Sequence, residues 1–250
     1  MNQDQNQNQD QNQDQLMNCT LVVFCLDESG SMQPTANDTR GGINGMLESQ
    51  KNEDGCTLVT LVTFSYEHRL RFSMKNINNV EPLTVDNYQP QGGTALYNGW
   101  VFTMNHTSTE ISKLPVEQRP SKVIFVVVTD GEDNSSRDWT LKQVNDIMAS
   151  HPDWDFVYLG ANQDAIKEAG KYGVKQCSAM NYRQGNEMNA YKCVSQGISR
   201  YRRGESARVH FTQAERQVSM DPAEVHNAAD ADANANANAD SSNEEGGGLY

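Results

Sequence analysis

The sequence CTLVVFCLDESGS, residues 19–31, is the most informative part of this chain about its fold. Its first eight residues form a continuous apolar and β-branched run, which is typical of a strand buried on both faces of a parallel sheet. The run ends in two carboxylates, two hydroxyls and a glycine. A turn does not need so many oxygen atoms, whereas a hard metal ion does. The stretch therefore predicts a buried strand with oxygen ligands at its carboxyl end.

Strands and helices alternate along the rest of the chain. Further apolar strands are predicted at 122–129, at 155–161 and, shorter, at 175–179. The runs 56–65 and 68–75 are separated by two residues and predict an antiparallel hairpin at a sheet edge. Helical apolar spacing occurs at 39–50, 95–113, 140–150, 163–173 and 186–201.

This order of elements predicts an α/β fold. We expect a doubly wound, mostly parallel, Rossmann-like sheet with one antiparallel edge strand and helices on both faces. In open sheets of this kind, ligands bind beyond the carboxyl ends of the strands, where the strand order reverses.

Charge and composition divide the chain into a body and two ends. The 250 residues carry a net charge of −13, but the body between residues 17 and 220 carries only about −3, so a nucleic-acid-binding face is not suggested. Both ends lack the apolar side chains that folding requires. The predicted organisation is a disordered Asn/Gln/Asp-rich tail at 1–16, a domain at 17–205, a C-terminal extension at 206–220 and a disordered acidic tail at 221–250.

Cysteine usage and the N-terminus favour a cytoplasmic location. The five cysteines form no CxxC pair and have no zinc-finger spacing, and two of them lie on one apolar strand. This pattern predicts free buried thiols in a reducing compartment. The N-terminus lacks the basic and apolar regions of a signal peptide, and no run approaches the roughly 18 apolar residues of a membrane span. We expect a soluble protein that binds no membrane.

Oxygen-bearing side chains recur at the ends of the predicted elements. Asp27, Ser29 and Ser31 follow the first buried strand, Asp130 follows the strand at 122–129, and Thr94 opens the helix at 95–113. If the two strands are adjacent, all five side chains converge on one crevice. Two carboxylates and three hydroxyls suit Mg²⁺, Mn²⁺ or Ca²⁺ and suit Zn²⁺ poorly. Their total charge of about −2 leaves a divalent ion able to bind a further anion.

These residues resemble the metal-ion-dependent adhesion site (MIDAS) of the von Willebrand factor A (vWA) domain, whose pattern is DxSxS, a Thr on a later loop and an Asp in a TDG context. The resemblance covers roughly residues 17–205, and all five positions match. It implies that the serines and the threonine contact the ion, that the aspartates often act through water, and that a partner's Glu or Asp carboxylate fills the sixth position. The family includes extracellular and intracellular members. The lack of a signal peptide and the expected free thiols place this chain with the intracellular, bacterial or phage-like members, which the resemblance implies are adaptors in multiprotein assemblies, frequently beside AAA+ ATPases.

Two other functions remain open. A metal-assisted phosphoryl-transfer or hydrolytic enzyme at the same oxygen cluster would need a general base or a basic phosphate clamp, and Arg40 is the nearest basic residue in the sequence. The chain contains no HExxH, GxSxG or P-loop motif, so no catalytic residue is predicted and a non-enzymatic role is expected. Alternatively, the domain is a structural assembly subunit that needs no metal.

Two further groups of polar and charged residues are also of interest. Glu132, Asp133 and Asn134 are expected to surround the metal site and to affect which partner approaches it. A basic cluster at Arg200, Arg202, Arg203 and Arg208 is expected to be a solvated helix face. An acidic partner, or the chain's own acidic tail, is the alternative ligand for that cluster. The tail is also a candidate ligand for the metal site itself.

Overall fold

A computed structural model of the chain describes residues 19–161 and 165–221. The tails predicted to be disordered, 1–16 and all but the first residue of 221–250, lie outside these described residues. In the two described stretches, six strands form one sheet in the order β3-β2-β1-β4-β5-β6. The strands are β1 (Thr20–Asp27), β2 (Thr57–Phe64), β3 (His68–Asn76), β4 (Lys122–Thr129), β5 (Trp154–Ala161) and β6 (Ala179–Tyr182).

The sheet is parallel except for β3, which pairs antiparallel with β2 at one edge. The predicted fold class, with its antiparallel edge strand, is therefore confirmed. From β1 the chain proceeds to β2 on one side, while β4 pairs with the other side of β1. The strand order reverses between β1 and β4, and their carboxyl ends meet there.

Within the described residues, six α-helices cover both faces of the sheet. They are α1 (Ala36–Lys51), α2 (Leu96–Lys113), α3 (Leu141–Ala149), α4 (Ala165–Lys171), α5 (Glu187–Arg202) and α6 (Gln213–Met220). Helices α1 and α5 share one hydrophobic core with alternate residues of β1, and α2, α3 and α4 share the other core. Both faces of β1 are buried, which explains its continuous apolar run. Within the described residues, no helix combines the length and hydropathy that a membrane span requires.

The C-terminal part of the fold differs from the prediction. The short strand lies at Ala179–Tyr182, because residues 176–178 form a 3-10 turn instead of its beginning. Helix α6 lies in the predicted extension and was not foreseen, because its apolar residues Val218 and Met220 are largely exposed. Thr212 and the α6 residue Glu215 form a capping box at its start.

Two residues of the basic cluster have a structural role, so the expectation of a solvated helix face is wrong for Arg200 and Arg202, whereas the Arg203 side chain is exposed. The guanidinium of Arg200 donates to both carboxylate oxygens of Glu215 at 2.7 and 3.0 Å and fastens α6 to α5. The guanidinium of Arg202 donates to the backbone and side-chain oxygens of Gln50 at 3.0 and 2.8 Å. These two arginines join elements of the fold that are distant in sequence.

Cys19 and Cys56 form a disulfide, so the prediction of free thiols is wrong for this pair. Each cysteine immediately precedes a strand, and the register that pairs Thr20 with Thr57 places the two side by side, with 4.4 Å between their Cα atoms. Cys25 and Cys193 are buried free thiols, and Cys177 is exposed. Because disulfides persist mainly in oxidising compartments, the cysteines no longer favour a reducing one.

Candidate functional site

Asp27 is the innermost of the predicted metal ligands. It is the last residue of β1, and its side chain is fully buried. The backbone N–H of Ser29 donates to Asp27 Oδ1, and the hydroxyl of Thr129, the last residue of β4, donates to Asp27 Oδ2, each at 2.7 Å. Burial raises the pKa of Asp27 to about 6, although the hydrogen bonds from Ser29 and Thr129 lower it. A negative charge is therefore costly at this position unless a cation accompanies it.

Ser29, Ser31 and Asp130 continue this set of polar contacts towards the surface. The hydroxyl oxygens of Ser29 and Ser31 are 3.1 Å apart, and the Ser31 hydroxyl donates to Asp130 Oδ1 at 2.7 Å. Burial also raises the pKa of Asp130, while the hydrogen bond from Ser31 opposes that rise. The structure thus brings four of the five predicted ligands together through hydrogen bonds.

Thr94, the fifth predicted ligand, is held in place by its backbone. Its N–H donates to Asn134 Oδ1 at 2.9 Å, and its carbonyl accepts from the N–H groups of Asn134 and Ser135. In the same loop, the carbonyl of Gly92 accepts from Gly30 N–H at 2.9 Å. The Thr94 loop is therefore bonded both to the loop after β1 and to the loop after β4. These contacts do not use the Thr94 hydroxyl.

Two glycines allow these loops to approach each other. Gly92 has a φ of +81°, in the left-handed region that favours glycine. A Cβ atom on Gly93 would lie 2.2 Å from the Ser135 hydroxyl and 2.5 Å from the ring of Tyr66. A side chain at Gly93 would therefore push the Thr94 loop away from the loop after β4.

Sequence reasoning missed the residues that support Asp27. Glu28 is buried and receives two hydrogen bonds from the Arg71 guanidinium, at 2.7 and 3.0 Å. The hydroxyl of Tyr88 donates to the Asp27 carbonyl at 2.7 Å. Thr129 is the threonine of the TDG context, but its bond to Asp27 depends on the neighbouring positions of β1 and β4. None of these pairings has a short-range sequence signal.

The loop after β4 caps helix α2. Oδ1 of Asp133 accepts from Tyr97 N–H at 3.3 Å, and the Ser136 hydroxyl accepts from Asn98 N–H at 3.1 Å. Asp133 and Asn134, which were expected to surround the metal site, thus satisfy N–H groups at and before the start of the helix. Glu132 instead forms an exposed ion pair with Lys171 at 3.3 Å.

The donor set fits a hard divalent cation. Burial raises the pKa of both Asp27 and Asp130. In the described parts of the chain, neither of them forms an ion pair with a lysine or arginine that would offset the charge. Residues 19–161 and 165–221 contain no cluster of three or more His, Cys, Asp or Glu side chains placed to hold a metal. The donors present at this site are two carboxylates and neighbouring hydroxyls, which is an all-oxygen set that suits Mg²⁺, Mn²⁺ or Ca²⁺.

Comparisons with known proteins agree with the fold. The family model for the von Willebrand factor type A domain matches residues 22–187. Comparison with curated proteins finds no match. Proximal thread matrix protein 1 from the mussel byssus is a similar solved structure, with a TM-score of 0.53 and 13% identity over 74% of this chain and 46% of that chain. The pilus adhesin SpaC from Lactobacillus rhamnosus GG gives a TM-score of 0.56 and 14% identity over 74% of this chain and 30% of that chain.

A further structure of the mussel protein has a zinc-occupied MIDAS motif, with a TM-score of 0.52 and 15% identity over 74% of this chain and 46% of that chain. At these identities, the likeness shows a common fold alone. This chain spans less than half the length of the mussel protein and of the adhesin.

Proposed function

Because the chain belongs to the von Willebrand factor type A family, we propose that it is a protein-recognition module with a complete MIDAS. Asp27, Ser29, Ser31, Thr94 and Asp130 would hold a divalent cation, with Mg²⁺ as our first choice and Mn²⁺ or Ca²⁺ as the alternatives. When bound, the ion supplies a positive charge that attracts a carboxylate of a partner protein. The observation that carries this proposal is the pair of carboxylates without a counter-charge from the described residues, beside two hydroxyls.

The roles of the chain's own residues follow from their contacts. Asp27 is fixed in orientation because both of its oxygens accept hydrogen bonds. Ser31 and Asp130 bond to each other, so binding of a cation would replace a contact that already holds them together. The hydrogen bonds from Gly30 to Gly92 and from Thr94 to Asn134 keep the three loops in register. The ligands are thus preorganised before any cation binds.

We further propose that the site recognises a partner and does not catalyse a reaction. An enzyme acting on phosphate esters would need a basic group free to bind the substrate. Arg71 is engaged with Glu28, and Arg40 donates to the Tyr88 carbonyl at 2.9 Å and to Asn37. These engagements support the recognition role.

The cellular setting is also a proposal. From the family resemblance, we propose an adaptor of a multiprotein assembly, with an AAA+ ATPase as one candidate neighbour. A cytoplasmic location, of the bacterial or phage type, stays part of this proposal. It no longer draws support from free thiols, because of the Cys19–Cys56 disulfide.

Thermal unfolding with and without divalent ions tests the proposed metal site. An ion at about a hundredfold excess over its dissociation constant should stabilise the wild type by about 2.7 kcal/mol. Asp27→Ala should show no such gain. Glu132→Ala is the matched control, because it removes an exposed carboxylate two residues from Asp130 and should keep the full gain. Equal gains in Asp27→Ala and the wild type, or no gain in any chain, would contradict the proposal.

A further inference from the structure

We infer that, in the absence of a partner, a carboxylate from the chain's own C-terminal segment, residues 222–250, completes the metal site. A partner protein then has to displace this internal ligand. The inference rests on the proposed function, because it requires a bound cation. It is carried by the place where the described chain ends, by the length of the segment beyond that place and by its charge.

The segment leaves the fold at the carboxyl ends of the strands, which is also where the metal site lies. The Ser219 hydroxyl donates to the carbonyl of Asn181 at 2.7 Å, and Asn186 Nδ2 donates to the carbonyl of Asp221 at 3.1 Å. The strand register pairs Asn181 with Gly160, and Gly160 with Thr129. Since Thr129 donates to Asp27, the end of the described chain is level with the metal site.

The distance from this exit to the site is short compared with the segment. Strands β1 and β6 are three positions apart in the sheet, which is about 14 Å at roughly 4.8 Å for each position. A residue spans at most about 3.4 Å, so Glu224, three residues beyond Asp221, reaches only about 10 Å. Asp230, nine residues beyond, reaches about 31 Å. Asp230 and the later acidic residues can therefore reach the ion with chain to spare, whereas Glu224 would have to be fully extended.

The negative charge of residues 222–250 also favours this segment as the ligand of the metal site. Residues 222–250 contain six acidic residues and no lysine or arginine. Arg183 follows β6 directly and so lies near the place where the segment leaves the fold. Its exposed side chain forms no ion pair with any residue that the structure describes. A cation at the metal site and Arg183 at the exit would both attract the acidic segment. Tethering places its carboxylates at an effective concentration on the order of 1 mM.

Titration with Mn²⁺ in the absence of any partner protein tests the inference. The Mn²⁺ affinities of four chains are compared. They are the full chain, a chain ending at Asp221, a full chain with Glu224→Gln, and a full chain with Asp230→Asn, Asp232→Asn, Asp240→Asn, Glu244→Gln and Glu245→Gln. If the tethered carboxylate binds the ion with a dissociation constant about tenfold below its effective concentration, the full chain should bind Mn²⁺ about tenfold more tightly than the truncated and five-fold variants. Glu224→Gln should match the full chain, because it keeps the five carboxylates that lie farther along the segment.

Asp27→Ala in the full chain measures Mn²⁺ bound by the segment alone, which is subtracted. As a second readout, Mn²⁺ should broaden the amide NMR signals of residues 230–245 in the full chain. The broadening should be weaker in Asp27→Ala, where only the Mn²⁺ bound by the segment alone contributes to it. Equal affinities in all chains that retain Asp27 would overturn this inference and leave the metal site intact. No Mn²⁺ binding beyond that of Asp27→Ala would refute the proposed function as well. Tightening that grows with protein concentration would identify a second copy as the donor and overturn docking within one chain.

Discussion

Replacing Asp27 with asparagine should stabilise the metal-free protein and destroy its response to metal. The change removes the buried charge and keeps an oxygen that can accept from Ser29 N–H. The Thr129 hydroxyl can rotate to accept from the new amide. Burial raises the pKa of Asp27 from 3.8 to about 6, and at about 1.36 kcal/mol for each pKa unit its ionisation costs the fold about 3 kcal/mol. Asp27→Asn should gain up to that amount at pH 8 in EDTA.

The pH dependence of this difference has a definite sign. A carboxyl whose pKa is higher in the folded state destabilises the fold as it ionises. The stability of the wild type relative to Asp27→Asn should therefore fall as the pH rises from about 4 through about 6, and level off above this range. Below about pH 4 the two chains should differ little, because Asp27 is protonated in both states.

Urea unfolding in EDTA and in excess Mg²⁺, from pH 4 to pH 8, measures both effects. At about a thousandfold excess over its dissociation constant, the ion should stabilise the wild type by about 4.1 kcal/mol and Asp27→Asn not at all. The order of stability of the two chains should then reverse. If Asp27→Asn is the less stable chain in EDTA at pH 8, or if the difference does not change with pH, the argument from buried charge is refuted.

Three further predictions concern the frame of the site. Gly93→Ala should cost about 1–3 kcal/mol of unfolding free energy and weaken Mg²⁺ binding, because the new methyl group would overpack the loops. In Gly131→Ala the new methyl group meets no atom within 4 Å, so calorimetry should find both quantities unchanged. Arg200→Ala should cost about 2 kcal/mol in urea unfolding, because it removes charged hydrogen bonds between α5 and α6, and a loss below about 0.5 kcal/mol would contradict that role. Reduction of Cys19–Cys56 should cost about 2–4 kcal/mol, and a thiol assay should find three free thiols before reduction and five after it.

The features that the sequence predicted well depend on local patterns. Two continuous apolar runs predicted β1 and β4, and the two-residue gap before residue 68 predicted the antiparallel edge strand. Because the carboxyl ends of parallel strands lie at one edge of a sheet, Asp27 and Asp130 could be expected to lie close together. Their contacts through Ser29 and Ser31 follow from that placement.

The features that it missed depend on pairings between distant residues. Cys19 and Cys56 meet only because β1 and β2 pair in one register out of several that their apolar patterns allow. Arg200 looks like an exposed helix residue until Glu215, which belongs to an element without a clear apolar pattern, is placed beside it. Glu28 is a carboxylate beside Asp27 and looks like a further metal ligand in the sequence. Only its ion pair with Arg71 on β3 shows that it supports the site instead.

The disulfide has a consequence for how the domain responds to mechanical tension. A pull on the N-terminal segment enters the described fold at Cys19, and the Cys19–Cys56 bond divides the force between β1 and β2. Asp27 is eight residues further along β1, about 26 Å away at roughly 3.3 Å per residue. Part of the traction on that end would therefore pass to β2 before it travels along β1 to the metal site at the carboxyl ends of the strands.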